Sequence, residues 1–300
     1  MLKKLFGVRG VGGQHSHSEH HPAEPVFLLA PSQRSGTNYL FNMLVETSIC
    51  RRPETSITAG EDFFVHYSDL LMQYVDKIGD RRAEMDFLSA EQAQEARDIL
   101  LCRLGETLAG LIGKTSDVPI LVKTPSTRNI ANIFTLFPAS KLIILCRDGR
   151  DTSHSLHRSG MAKTWKAAFE SWAQGVDEAI QFAGAPGNPA ATPGPVKWIK
   201  YEEAVEDPRS TCRELATFVG RSCDNINWDG LRKLEIYGSS ESGGDRKNWT
   251  YKTEKQADSF QPIGRWREWN RSRIRSFKKA ANQQLIDLGY EQDAGWPKRH

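Results

Sequence analysis

Three polar clusters in this 300-residue chain combine residue types and spacings suited to gripping oxyanions. The first is Pro31-Ser32-Gln33-Arg34-Ser35-Gly36-Thr37-Asn38, set between the apolar run Val-Phe-Leu-Leu-Ala at 26–30 and a helical pattern. A helix N-terminus carries unpaired N–H groups and a partial positive charge, so a loop that enters one is a ready anion site. Gly36 lets the backbone come close, while Arg34, Ser35, Thr37 and Asn38 add donors. A triphosphate-binding loop needs Gly-x-x-x-x-Gly-Lys-Ser/Thr, with the lysine on the phosphates and the hydroxyl on magnesium. Here Gly36 falls where that lysine should stand, and no strand ends on an acidic residue suited to the metal. A kinase or metal-dependent triphosphatase is disfavoured, and no metal is expected.

The second cluster is Arg147-Asp148-Gly149-Arg150-Asp151-Thr152-Ser153-His154-Ser155, after the run Leu-Ile-Ile-Leu-Cys. Guanidinium groups bind phosphate through paired hydrogen bonds. A helix starting near Gly149 places Ser155 about two turns in. Asp148 and Asp151 have a plainer use as partners of Arg150 and caps of that helix, which leaves Arg147 for a ligand. The third is Lys123-Thr124-Pro125-Ser126, at another strand end. Together they outline two phosphate-like pockets, one on Arg34–Thr37 and one on Arg147 and Ser155. A nucleotide phosphorylated at two separate positions fits that pattern.

The elements that must position these clusters are legible from hydropathy. Apolar runs without period-2 alternation predict strands buried on both faces at 26–30, 119–124, 141–147 and 196–202. Helical patterns follow Gly36 and cover 90–112, 126–137, 150–158, 163–183, the stretch after Asp207-Pro208, and 270–288. Strand–helix alternation of this kind predicts an α/β fold: a P-loop-like three-layer sandwich with a central parallel sheet flanked by helices. In such sheets ligands sit beyond the carboxyl ends of the strands, where all three clusters lie. The expected division is a flexible leader at 1–24, one domain at 25–290 and a tail at 291–300. The leader holds His15, His17, His20 and His21, and its Gly and Ser content favours a solvated tail over a metal site.

Forty basic residues against 37 acidic give a net charge of +3, too balanced to argue for a nucleic-acid binder. Five widely spaced cysteines and no CxxC pair suit a reduced compartment. With no apolar run of about 18 residues and no convincing secretory signal, a cytoplasmic location is expected.

With these residues in hand, the chain resembles the sulfotransferases that use 3′-phosphoadenosine 5′-phosphosulfate (PAPS). Arg34-Ser35-Gly36-Thr37 is similar to their phosphosulfate loop, in the arginine form of tyrosylprotein sulfotransferases and many bacterial members, with Asn38 replacing a second threonine. Arg147 and Ser155 match an Arg and a Ser, eight apart, that grip the 3′-phosphate. Lys123 matches a lysine that helps bind and polarise the transferring sulfonate. The segment 200–220, with Tyr201, resembles the stretch that closes the family's fold. The segments 238–244 and 263–269 resemble parts that cover the nucleotide, which makes Ser239, Ser240, Arg265 and Trp266 cofactor candidates. The likeness spans about residues 25–290.

The resemblance implies in-line transfer of a sulfonate from PAPS to an acceptor hydroxyl or amine, without a metal. Positioning and charge neutralisation carry such reactions. The base it implies is Glu61, where related enzymes carry a catalytic glutamate, with Asp62 and His66 as rivals. Alternatively, Glu61 caps a helix starting at Asp62–Phe63. His154 and His157 read as structural, and Trp165, Trp172 and Trp198 as core. The acceptor, a saccharide, lipid-linked glycan, small alcohol or peptidyl tyrosine, is expected to meet the loops 50–80 and 238–262. A homodimer is compatible with this reading, as is a non-catalytic nucleotide-binding protein.

Overall fold

Short runs of leucine and β-branched residues pair side by side because their backbone groups find partners only in a ladder once both faces are covered. The computed structural model describes residues 25–54, 61, 63–84, 88–114, 116–234 and 261–297. β1 (Val26–Leu29) leads through the Pro31–Gly36 loop into α1 (Thr37–Glu46), followed by α2 (Ser68–Glu84) and α3 (Ala90–Ile112). β2 (Leu121–Thr124) precedes a 3-10 turn at Ile130–Asn132 and the single turn α4 (Ile133–Leu136). β3 (Lys141–Cys146) feeds α5 (Gly149–Arg158), and α6 (Trp165–Ala183) follows. A two-residue hairpin, β4 (Gly184–Ala185) with β5 (Asn188–Pro189), punctuates the Pro/Gly/Ala connector. β6 (Val196–Lys200) is followed by α7 (Tyr201–Glu206), α8 (Pro208–Val219), α9 (Trp228–Arg232) and, after a 3-10 turn at Arg265–Glu268, α10 (Arg271–Asp287).

The sheet has the order β2-β1-β3-β6, and every pair in it is parallel. Alternate side chains of the strands enter two cores. Phe27, Leu29, Val122, Leu142 and Ile144 pack with Leu101 of α3 and Ala179 of α6. Leu28, Leu121, Ile143 and Leu145 pack with Leu40 and Leu44 of α1 and Leu215 of α8. These are the three layers expected. A third, aromatic core joins Phe169 and Trp172 of α6 to Trp269, Phe277 of α10 and Trp296.

Several boundaries differ from expectation. α2 occupies part of a stretch expected as a loop, with Met72 and Val75 buried while Leu70 and Tyr74 are exposed. The helix expected over 126–137 shrinks to the 3-10 turn and α4, after Asn129 takes a left-handed φ of 61°. The strand expected to run to residue 202 stops at Lys200, and Tyr201 opens α7. The packing also continues past residue 290, since Glu291 pairs with Arg150 and Trp296 is buried.

The chain passes from β1 to β2 on one side and then returns to β3 on the other. The loops after β1 and β3 therefore diverge to opposite faces, opening a crevice at their carboxyl ends. One close approach sets the floor of that crevice. A Cβ on Gly175 of α6 would lie 1.9 Å from the carbonyl oxygen of Pro31. Gly175→Ala is expected to lower stability by about 1–3 kcal/mol through overpacking, read as a lower urea midpoint at unchanged slope.

Candidate active site

The first loop reaches the helix through two left-handed residues, Arg34 at φ 69° and Gly36 at φ 91°. Gly36 is demanded by sterics as well as by backbone: a Cβ there would sit 2.2 Å from the Tyr201 ring. Among the described residues no side chain caps α1, and its first turn holds no acidic residue. The Ser35 hydroxyl, fully buried, donates to the Ser32 carbonyl at 2.9 Å and so shapes the loop. Thr37 is buried at the first helical position, whereas Asn38 is exposed.

The second cluster interlocks with the first. Arg34 Nε donates to Ser155 Oγ at 3.0 Å, and Arg147 Nη1 donates to the Arg34 carbonyl at 2.8 Å. The two pockets read from the sequence are thus one continuous cradle. Arg147 is buried, with its guanidinium 4.7 Å from the centre of the Tyr201 ring and Nη2 donating to the Pro262 carbonyl. Its Nε is buried and finds no acceptor among the described residues. An anionic oxygen is the chemistry that such an orphaned N–H fits.

The acidic residues of this cluster are all committed. Asp148 caps α5 and takes a forked pair from Arg150, with Nη2 at 2.7 Å. Asp151 has a different use from the expected one: it accepts N–H bonds from Gly264 at 2.7 Å and Trp266 at 3.1 Å. Sequence reasoning missed Glu202, which accepts from the Asp148 N–H at 3.0 Å and from Tyr290 Oη at 2.8 Å. Burial pushes the carboxyls of Asp151 and Glu202 up, and Tyr290 well above its ordinary value. The available signal for Glu202 is the acidic pair Glu202-Glu203 just after the strand end. Nothing in the sequence marked Tyr290 or Glu291.

Lys123 leaves the end of β2 nearly buried and pairs with Glu61 at 2.7 Å. Glu61 also forms a parallel bridge with Lys123, which is how it reaches the strand end. It does not cap a helix, because α2 begins only at Ser68. His66 Nδ1 lies 2.8 Å from Ser126 Oγ, and burial, then Arg128, pulls its pKa down. Asp62, Ser239 and Ser240 lie outside the described residues. Tyr201 is buried beneath the loop, and its phenol is pushed up by burial. Trp266 is half-buried, its indole faced by the Arg150 guanidinium at 3.8 Å. Trp172 is wholly buried, while Trp165 and Trp198 pack against the cores at their margins.

An anion cradle at the switch point of a parallel sheet, entered through a lysine-free loop, defines an α/β protein of the P-loop-like class. A profile of the Sulfotransferase family matches residues 25–225, and the chain belongs to that family, whose chemistry is sulfonate transfer. Among solved structures it is similar to a sulfotransferase domain from the Synechococcus PCC 7002 olefin synthase, at 17% identity and TM-score 0.49, covering 89% of this chain and 98% of that one. It is also similar to retinol dehydratase in complex with androsterone and the inactive cofactor PAP, at 16% identity and TM-score 0.48, with 89% and 82% covered. A mouse sulfotransferase complexed with PAP matches at 14% identity and TM-score 0.46, with 87% and 84% covered. No curated protein matches the chain in sequence.

His154, on the same helix as Ser155, accepts the indole N–H of Trp269 on Nδ1 at 3.2 Å, which requires a neutral ring. Burial, then the arginines 265, 158 and 273, lower its pKa from 6.5 to about 4. The unfolded chain therefore binds the proton first, and stability is lost as pH falls from 6.5 towards 4. His154→Gln is expected to flatten that slope in urea unfolding measured across this window.

Proposed function

We propose that the chain is a PAPS-dependent sulfotransferase whose acceptor is a hydroxyl or amine compound. The observation that carries this reading is the meeting of Arg34, Arg147 and Ser155, with one N–H of the buried Arg147 left for an anion. Arg34, Ser35, Gly36, Thr37 and Asn38, with the first N–H groups of α1, would hold the 5′-phosphosulfate. Arg147 and Ser155 would hold the 3′-phosphate. PAPS supplies an activated sulfonate, which passes to the acceptor oxygen or nitrogen as adenosine 3′,5′-bisphosphate (PAP) leaves.

The chain's own residues then have separate tasks. Arg34, in the loop after β1, and Lys123, at the end of the neighbouring β2, neutralise charge on the sulfonate and bridging oxygens. Tyr201 supports Gly36 and Arg147 from below. Arg265 and Trp266 cover the nucleotide side of the cradle, with Ser239 as a further donor. Glu61 takes the acceptor proton as general base, and its ion pair with Lys123 keeps the carboxylate at the strand end before substrates enter. His66, tied to Ser126, flanks the acceptor side. A cytoplasmic setting is supported by five cysteines that are all free.

Calorimetry separates this reading from a nucleotide hydrolase or kinase: PAP is expected to bind, and a preference for ATP with magnesium would overturn the proposal. Arg147→Ala is expected to weaken PAP by about a hundredfold while affecting adenosine 5′-phosphosulfate, which lacks the 3′-phosphate, much less. Equal losses would refute the assigned pocket. Glu61→Gln is expected to lower kcat by about 10²–10⁴-fold with PAP affinity retained. Transfer at an unchanged rate would remove Glu61 as the base, and retained PAP binding without any transfer by the native chain would favour a non-catalytic binder.

A further inference from the structure

The family match ends at residue 225, yet the cradle is completed by residues 262–296. Three contacts fasten this late segment to Arg147 and the first turn of α5. The Asp151 carboxylate, 1% exposed, receives the N–H groups of Gly264 and Trp266 on separate oxygens. Arg147 Nη2 donates to the Pro262 carbonyl. Arg150 faces both the Trp266 and Trp296 rings, at 3.8 and 4.6 Å, and pairs with Glu291.

The two N–H groups taken by Asp151 flank Arg265. One carboxylate thus fixes the backbone on both sides of that residue, across the left-handed Gly264 at φ 85° that opens the 3-10 turn. Arg147 joins the same unit from the other direction, since it touches both the phosphate loop and Pro262. Arg147, between β3 and the Asp148 cap, and Asp151, in the first turn of α5, are four residues apart in one short segment. A shift of the late segment is therefore felt at the guanidinium that faces the ligand.

We infer that Asp151 is a positioning residue for nucleotide binding: its carboxylate clamps residues 262–266 onto the cradle, presenting Arg265 and holding Arg147 in register. Resting on the nucleotide reading above, this assigns Asp151 to donor binding, not to the chemical step. Coupling of this kind is reciprocal, so nucleotide must in turn tighten the clamp.

The test uses the full chain, hydrogen–deuterium exchange and PAP titration. In the native protein, PAP is expected to slow exchange at the amides of Gly264 and Trp266. An unchanged rate under saturating PAP overturns the inference. In Asp151→Asn, which keeps the side-chain size but loses one acceptor, those two amides are expected to exchange faster while amides of β1 and β3 keep their protection. PAP should weaken about tenfold and KM for PAPS should rise alike, with kcat within about twofold. Equal loss of protection everywhere, or unchanged PAP affinity in a folded variant, overturns the assignment. If the native chain binds no PAP, the nucleotide reading has failed, while the two amides in Asp151→Asn still report whether the clamp exists.

Discussion

A guanidinium taken out of water must have its N–H groups met, and Arg147 is the point where this chain meets that demand. Its two Nη groups go to the carbonyls of Arg34 and Pro262, residues far apart in sequence, and its flat face lies over Tyr201. Carbonyl dipoles, not an ion-paired carboxylate, take these protons. The positive charge is desolvated and held in place without being neutralised. In a low-dielectric crevice this favours a divalent anion strongly, and the ring beneath keeps the group from collapsing onto a neighbouring acid.

The acids around the cradle make the same point from the other side. Asp148 is spent on Arg150 and the start of α5, Asp151 on two backbone amides, and Glu202 on the Asp148 amide and Tyr290. Four carboxylates, counting Glu291, stand around the cradle, and each is turned to a donor of the chain itself. The local backbone is thereby pinned by charge-assisted bonds, which are stronger than neutral ones. Such a site is pre-organised before its ligand arrives, and pre-organisation lowers the cost of binding.

Much of this was open to sequence reasoning, for local reasons. The four sheet strands announce themselves because each is buried on both faces, and α3, α5 and α6 begin at side-chain caps, Ser89, Asp148 and Thr164. Arg34, Lys123 and Arg147 were identifiable because strand ends in a parallel sheet converge. What escaped were features created by tertiary contact alone. In α2 the exposed Leu70 and Tyr74 put apolar side chains on the face opposite the buried Met72 and Val75, which blurs its period. Tyr201 reads as the end of a strand, but the need to fill space under Gly36 turns the chain into α7 there. Asp151 looks like a local helix cap until residues 264–266, more than a hundred positions later, supply its real donors.

The bridge that brings Glu61 to Lys123 has a consequence beyond the site. β2 is an edge of the sheet, and an open edge is a template for pairing with another copy of the chain. Arg51 and Glu61 both lie against its outer side, at Ile120 and Lys123, and occupy that template. The opposite edge, β6, is guarded by charge, with Lys197 and Lys200 on its short length. Arg51 and Glu61 are thus also the cover of an aggregation-prone border. Substitutions around them are tolerated only where they leave those two backbone contacts intact.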